Sequence, residues 1–169
     1  AAALIDGDRA GAAARLVRRA ADALTLITSH LHMLDHLAPH DYAIVRTALG
    51  HGAGFDSPGF RNIHRIAPQT GAAFDRLLQR RNLPLIQVYA RGYDVEDLYQ
   101  LAESLVSLDE RTILWRFTHL KVVERIIGGH VIGTQGTPVE VLGRRIDVRF
   151  FPELWTVRDE ITKSSVDGR

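Results

Sequence analysis

Apolar residues in this chain recur every three or four positions over long runs, and clusters of glycine and proline separate the runs. That spacing lays apolar side chains along one side of an α-helix, whereas a half-buried strand needs strict alternation. Outside residues 139–148 no stretch alternates convincingly, so the pattern predicts an all-α helical bundle. Over residues 8–37, Leu16, Ala20, Ala23, Ile27, Leu31 and Leu34 form such a stripe, with Arg15, Arg18 and Arg19 mostly off it. One long amphipathic helix is expected there. Pro39 stops it, and residues 40–49 read as a second helix ending at Gly50, where glycine can turn left-handed. Residues 50–59 hold four glycines and a proline, too many backbone breakers for a helix or a strand, and predict a shaped loop.

Short helices are expected at 60–66 and 70–81, with residues 82–84 separating them from the next segment. Asp94 is a suitable N-cap for a helix through Leu105, and Ser107 with Glu110 has the spacing of a capping box opening another. That helix carries Ile113, Leu114, Phe117, Leu120, Val123, Ile126 and Ile127 before Gly128 and Gly129 end it. As the most apolar helix it is expected in the middle of the bundle. Residues 130–138 form a second glycine-rich loop, residues 139–148 predict a short hairpin or irregular chain, and Pro152 opens a closing helix through Ile161.

The composition narrows the class. With 46% hydrophobic and 24% charged residues, the 169-residue chain has the make-up of an ordinary soluble protein and predicts one domain over residues 1–169. It opens at Ala1 without a methionine, so it is expected to be the C-terminal part of a longer parent. Basic and acidic residues nearly cancel, 21 against 20, and are interspersed, which argues against a nucleic-acid partner. The absence of cysteine excludes disulfides and thiolate ligands, so any metal must rest on His, Asp, Glu or Tyr. No apolar run approaches the ~20 residues that span a bilayer, and no secretory signal pattern is present. A cytoplasmic protein without membrane partners is expected.

Among the eight histidines, His119 stands apart. Its helical neighbours at three and four are Trp115, Arg116, Val122 and Val123, so the imidazole leaves a largely apolar face. A lone histidine in such a wall suits a haem, whose flat ring wants apolar contacts and whose iron needs one axial nitrogen. A core histidine satisfied by its neighbours fits the same pattern. His30, His32 and His36 cluster, and the last two have the four-residue spacing that zinc sites use, but no glutamate completes a protease-type motif. Histidines on the polar side of a helix need no ligand. Tyr42 and Arg46, also four apart, lie on the helix that ends at the first glycine loop. A guanidinium there is suited to gripping a carboxylate with two hydrogen bonds, although an amphipathic surface pair has the same spacing. The second loop, GTQGT at 133–137, offers backbone amides and the Thr134 hydroxyl, without the lysine of a phosphate loop.

Three segments taken together are specific: YAIVRTALGHGAGFDSPGFR at 42–61, LWRFTHLKVVERIIGGHVIGTQGT at 114–137 and RFFPELWTVRDEI at 149–161. In order and in type they resemble blocks of the tryptophan 2,3-dioxygenase family. There an arginine helix leads to a Ser-Gly-Phe-Gln-Ser loop, a Trp-Arg-Phe/Trp-x-x-His helix ends in Ile-Gly, a Gly-Thr-Gly-Gly loop follows, and Phe-Phe-Pro-Glu-Leu opens the last helix. The resemblance implies haem b as cofactor, with His119 as the axial ligand of its iron. It implies that Arg46 binds the substrate carboxylate, that Tyr42 walls the pocket, that Ala53 and Gly54 lie against haem and substrate, and that Thr134 stands near the substrate ammonium.

The chain also departs from the family pattern. Ala53 stands where the family has serine and Asp56 where it has glutamine, one residue is inserted before Gly133, and the middle of the chain is shorter. The family's distal histidine lies on N-terminal helices that this chain does not contain, so no catalytic residue is assigned here. The resemblance implies a dioxygenase that adds O2 across the indole C2–C3 bond of L-tryptophan, giving N-formylkynurenine in tryptophan catabolism, within a homotetramer. Two other readings stand beside it: a haem hydroxylase of a tryptophan derivative or tyrosine, and a haem-binding sensor module without catalysis.

Overall fold

Helices form where small and apolar residues recur at helical spacing, and they end at the glycines and prolines that punctuate the sequence. The computed structural model describes residues 1–50, 58–133 and 136–167. In chain order the α-helices are α1 (Ala2–Asp6), α2 (Ala10–Leu31), α3 (Pro39–Leu49), α4 (Pro58–Arg80), α5 (Leu85–Arg91), α6 (Glu96–Ile127), α7 (Glu140–Gly143) and α8 (Pro152–Asp167). Single 3-10 turns follow α2 and precede α6. Among the described residues there is no strand, only an isolated bridge between Ile132 and Pro138, so the expected all-α class is observed. No helix is long and apolar enough to cross a membrane among the described residues.

Several elements differ from the sequence expectation. The long helix expected over residues 8–37 is observed as α2, which gives way to a 3-10 turn at His32, and a short helix α1 that was not expected precedes it, set off by Gly7 and Asp8, the latter at φ +56°. Its buried stripe is Ala10, Ala13, Ala14, Val17, Ala21 and Leu24, while Leu16, Ile27 and Leu34 of the predicted stripe are 40–44% exposed. The observed face lies about a quarter turn round the helix, opposite Arg15 and Arg19, whose charges the predicted stripe would carry to its edge.

The two helices expected at 60–66 and 70–81 are one helix, α4, which runs through Pro68. A proline inside a helix costs about 3 kcal/mol. Burial of Phe74, Leu77 and Leu78 along α4, roughly 1.5–3 kcal/mol for each large side chain, offsets it. Asn82 at φ +48° then turns the chain out of α4. The expected capping box at Ser107 and Glu110 is not a helix start, because α6 is continuous there. Ser107 is interior, and its hydroxyl donates back to the Glu103 carbonyl at 2.8 Å. Residues 139–148 form the short helix α7 and turns instead of a hairpin.

The described residues divide into two compact units: Ala1–Ala21, His64–Glu110 and Arg149–Arg169 in the first, Asp22–Ile63 and Arg111–Val148 in the second. The first unit has the denser core, with Ile5, Leu77, Val88, Leu98, Leu101 and Leu105 fully buried. Its rim is tied by Arg81 to Asp8 and Asp97, by Arg76 to Asp6, and by Arg158 to Glu103 and Tyr89. Inside it lies a carboxylate, Asp109, with no solvent exposure. Its two oxygens accept the backbone N–H of Phe150 at 2.7 Å, that of Phe151 at 3.2 Å and the Trp155 indole N–H at 3.1 Å. Pro152 brings no N–H to the start of α8, and Asp109 accepts the amides just before it, where the positive end of a helix favours an anion.

Removing this acceptor leaves buried donors without partners. Asp109→Ala is expected to cost about 3 kcal/mol or more, and Asp109→Asn less, in urea unfolding followed by circular dichroism. A change below about 0.5 kcal/mol for the alanine variant would show that the carboxylate does not anchor α8.

Candidate functional site

The second unit holds the described candidate residues. Pro39 occupies the first turn of α3 after Ala38 in extended backbone, Asp41 stands at the positive end of the helix, and Gly50 ends it at φ +57°. No residue of α3 is buried, and Ile44 is 72% exposed, whereas Tyr42 and Arg46 are half-buried on a shared face. Arg46 donates through Nη2 to the backbone carbonyl of Ile132 at 2.9 Å. The guanidinium expected to grip a carboxylate therefore meets the second glycine loop, on which Thr134 lies in sequence. An arginine fork carries five N–H donors, so one bond to a carbonyl leaves capacity for a carboxylate.

The loop is held by its own backbone. Gly128, at φ +92°, ends α6 with its N–H on the Glu124 carbonyl at 3.0 Å. Val139 N–H donates to the Val131 carbonyl at 3.1 Å, Gly133 N–H to the Thr137 carbonyl at 2.8 Å and Gly136 N–H to the Gly133 carbonyl at 3.0 Å. Gly136 sits at φ +78°, a left-handed conformation that favours glycine, and a Cβ on Gly133 would meet the Thr137 carbonyl oxygen at 3.2 Å, tighter than ordinary contact. His130 pairs with Glu140 at 3.1 Å across the base of the loop. The Glu140 carboxyl is held below its ordinary range, first by its own backbone amide and then by His130. Of the sequence-predicted site residues, Ala53, Gly54 and Thr134 lie outside the described residues.

His119 belongs to the same unit. Its imidazole is half-buried and lies nearly parallel to the Trp115 indole, with ring centroids 5.2 Å apart and planes at 13°. Burial pushes its pKa below the ordinary histidine value, so at neutral pH the ring is uncharged and keeps a nitrogen lone pair. Such a nitrogen is a fitting axial donor for haem iron. The helix around it is less central than its apolar content predicts. The first half of α6 is fully buried at Leu98, Leu101 and Leu105, whereas Leu114 and Phe117 near His119 are 42% and 48% exposed. The reason is polar: Asp109, Thr112 and Arg116 take buried positions on α6, and Arg116 donates to the Val148 carbonyl.

His32 and His36 do not share a helical face, since α2 has ended at Leu31, and His32 instead bonds Asp35 at 3.1 Å. Among the described residues no group of three His, Asp or Glu side chains is arranged to hold a metal ion. Two clefts of about 240 and 290 Å³ open in the first unit, around Leu85, Pro152 and Glu153, and neither is lined by Tyr42, Arg46 or His119. Asp109 and Arg116 are the residues that sequence reasoning missed. The available signal was charge at apolar-stripe positions of the helix.

The tryptophan 2,3-dioxygenase family profile matches residues 72–161, a span that includes His119 and the second glycine loop. The chain is 33% identical to the tryptophan 2,3-dioxygenase of Erythrobacter litoralis over 198 aligned positions, covering 87% of this chain and 75% of that relative. It is 33% identical to that of Exiguobacterium sibiricum, over 76% of this chain and 64% of the relative. It is 49% identical to that of Bacillus thuringiensis over 77 residues, 45% of this chain and 27% of the relative.

Because burial depresses the His119 pKa, its ring should titrate below 6.5 in an NMR titration of the haem-free protein. The sign follows from linkage: the unfolded chain takes up this proton first, so the His119 contribution is intact above 6.5 and is lost as pH falls from there toward the depressed folded value. A midpoint at or above 6.5 would contradict the burial of the ring.

Proposed function

Because this chain belongs to the tryptophan 2,3-dioxygenase family, we propose that it works as a haem-dependent oxidoreductase adding O2 across the indole C2–C3 bond of L-tryptophan to give N-formylkynurenine. The observation that carries the reading is the Arg46 bond to Ile132, which joins the arginine to the loop bearing Thr134. A guanidinium and a hydroxyl-bearing loop held together match the two charged ends of an amino acid. The neutral, half-buried imidazole of His119 supports the cofactor part.

The donor set fits haem b. His119 would hold it: one uncharged imidazole from a face with Val122 and Trp115 would supply the nitrogen donor that the iron needs, among apolar and aromatic side chains and with no thiolate available. When bound, haem supplies the activation of dioxygen. The chain's own residues bind and orient. Arg46 takes the substrate carboxylate, Thr134 the ammonium and Tyr42 the pocket wall, while Ala53 and Gly54 cover haem and substrate. Holding the amino acid at both ends fixes the indole and removes rotational freedom before reaction. The enzyme is read as a cytoplasmic homotetramer.

The hydroxylase alternative has less support, since the matched relatives carry the dioxygenase name. Product mass decides between them. Incubation with L-tryptophan is expected to add two oxygen atoms, and a gain of one would overturn the dioxygenase assignment. Arg46→Ala removes a charge-assisted pair of roughly 1.5–3 kcal/mol, so KM should rise about 10- to 100-fold with haem content unchanged. An unchanged KM would remove Arg46 from the site. His119→Ala should abolish the Soret band of the purified full-length protein, and a retained five-coordinate histidine spectrum would place the iron on another residue.

A further inference from the structure

A ligand imidazole needs more than a lone pair, because its ring must also hold a fixed plane. In most metal sites that plane is set by a hydrogen bond from the second ring nitrogen to a carboxylate, carbonyl or water. Among the described residues His119 has no such bond, and its ring contact is the Trp115 indole one helical turn before it. Residues four apart on a helix lie one above the other, so the shared face of α6 stacks the two rings by construction. The interplanar angle of 13° leaves the imidazole nearly parallel to the flat indole bicycle, which resists rotation about its outer bond.

We infer that Trp115 is a positioning residue for the iron ligand: its indole fixes the plane of the His119 ring by stacking. The inference rests on the reading of His119 as the haem ligand, and it adds a residue that acts through His119 without touching iron or substrate. The contact is intrahelical, so the orientation is preset in the folded chain before any cofactor arrives.

The test compares Trp115→Phe, which keeps a flat ring, with Trp115→Leu, which does not. In the haem-free protein, the His119 ring protons should show the upfield ring-current displacement of a stacked pair, retained in part by the phenylalanine variant and lost in the leucine variant. In the haem-loaded ferrous protein, the iron–histidine stretching band in resonance Raman should broaden or shift in Trp115→Leu and stay close to wild type in Trp115→Phe. Haem transfer to apomyoglobin should be faster by about 2- to 10-fold in Trp115→Leu, the range an aromatic pair contributes. Equal bands in wild type and Trp115→Leu would overturn the positioning role while leaving His119 as ligand. A wild-type protein with no iron–histidine band would overturn both.

Discussion

The buried carboxylate of Asp109 is the interaction on which the first unit depends. An anion with no solvent exposure is costly unless its lone pairs are filled, and here two backbone amides and an indole N–H fill them. All three donors come from the start of the closing helix. The carboxylate therefore does for α8 what no local residue does, because Pro152 lacks an N–H and Phe151 has no side-chain oxygen to cap with. The Phe-Phe-Pro-Glu-Leu-Trp run is thus as much a docking segment for α6 as a helix opener. Gly71 extends the same contact, since a Cβ there would press on the Phe151 ring at 3.2 Å.

In the second unit the polar contacts serve a different end. Arg46 is anchored on a backbone carbonyl, and the loop that supplies it is closed by its own backbone hydrogen bonds. A carbonyl partner orients a guanidinium without neutralising its charge. Large apolar side chains at Ile44, Leu114, Phe117 and Ile132 are exposed in this unit, whereas the first unit buries most of its own. The unit that carries the candidate site is the one with apolar surface to spare.

Much of this was legible in the sequence. Pro39, Gly50, Gly128 and Pro152 mark helix ends, and the structure has helix ends at each of them. The family motifs pointed to Arg46 and His119 before any geometry was known, and the family itself is borne out. The misses share a cause. For the stripe on α2, the unbroken α4 and the interior Ser107, local preference points one way and burial against other helices decides otherwise. Local penalties of about 1–3 kcal/mol, such as an internal proline or a mid-helix serine, are outweighed when several large side chains become buried together.

What the amino-acid order determined by itself is the helical class, the places where the chain must turn, and the residue types able to hold iron or grip a carboxylate. Those follow from backbone sterics and side-chain chemistry, which act over a few residues. Tertiary structure alone decided which face of α2 is buried, that α6 is one helix with its densest packing ahead of His119, that Asp109 holds the start of α8, and that Arg46 meets the carbonyl of Ile132. Each of these joins residues far apart in the chain or weighs one packed surface against another, and no local preference encodes that balance.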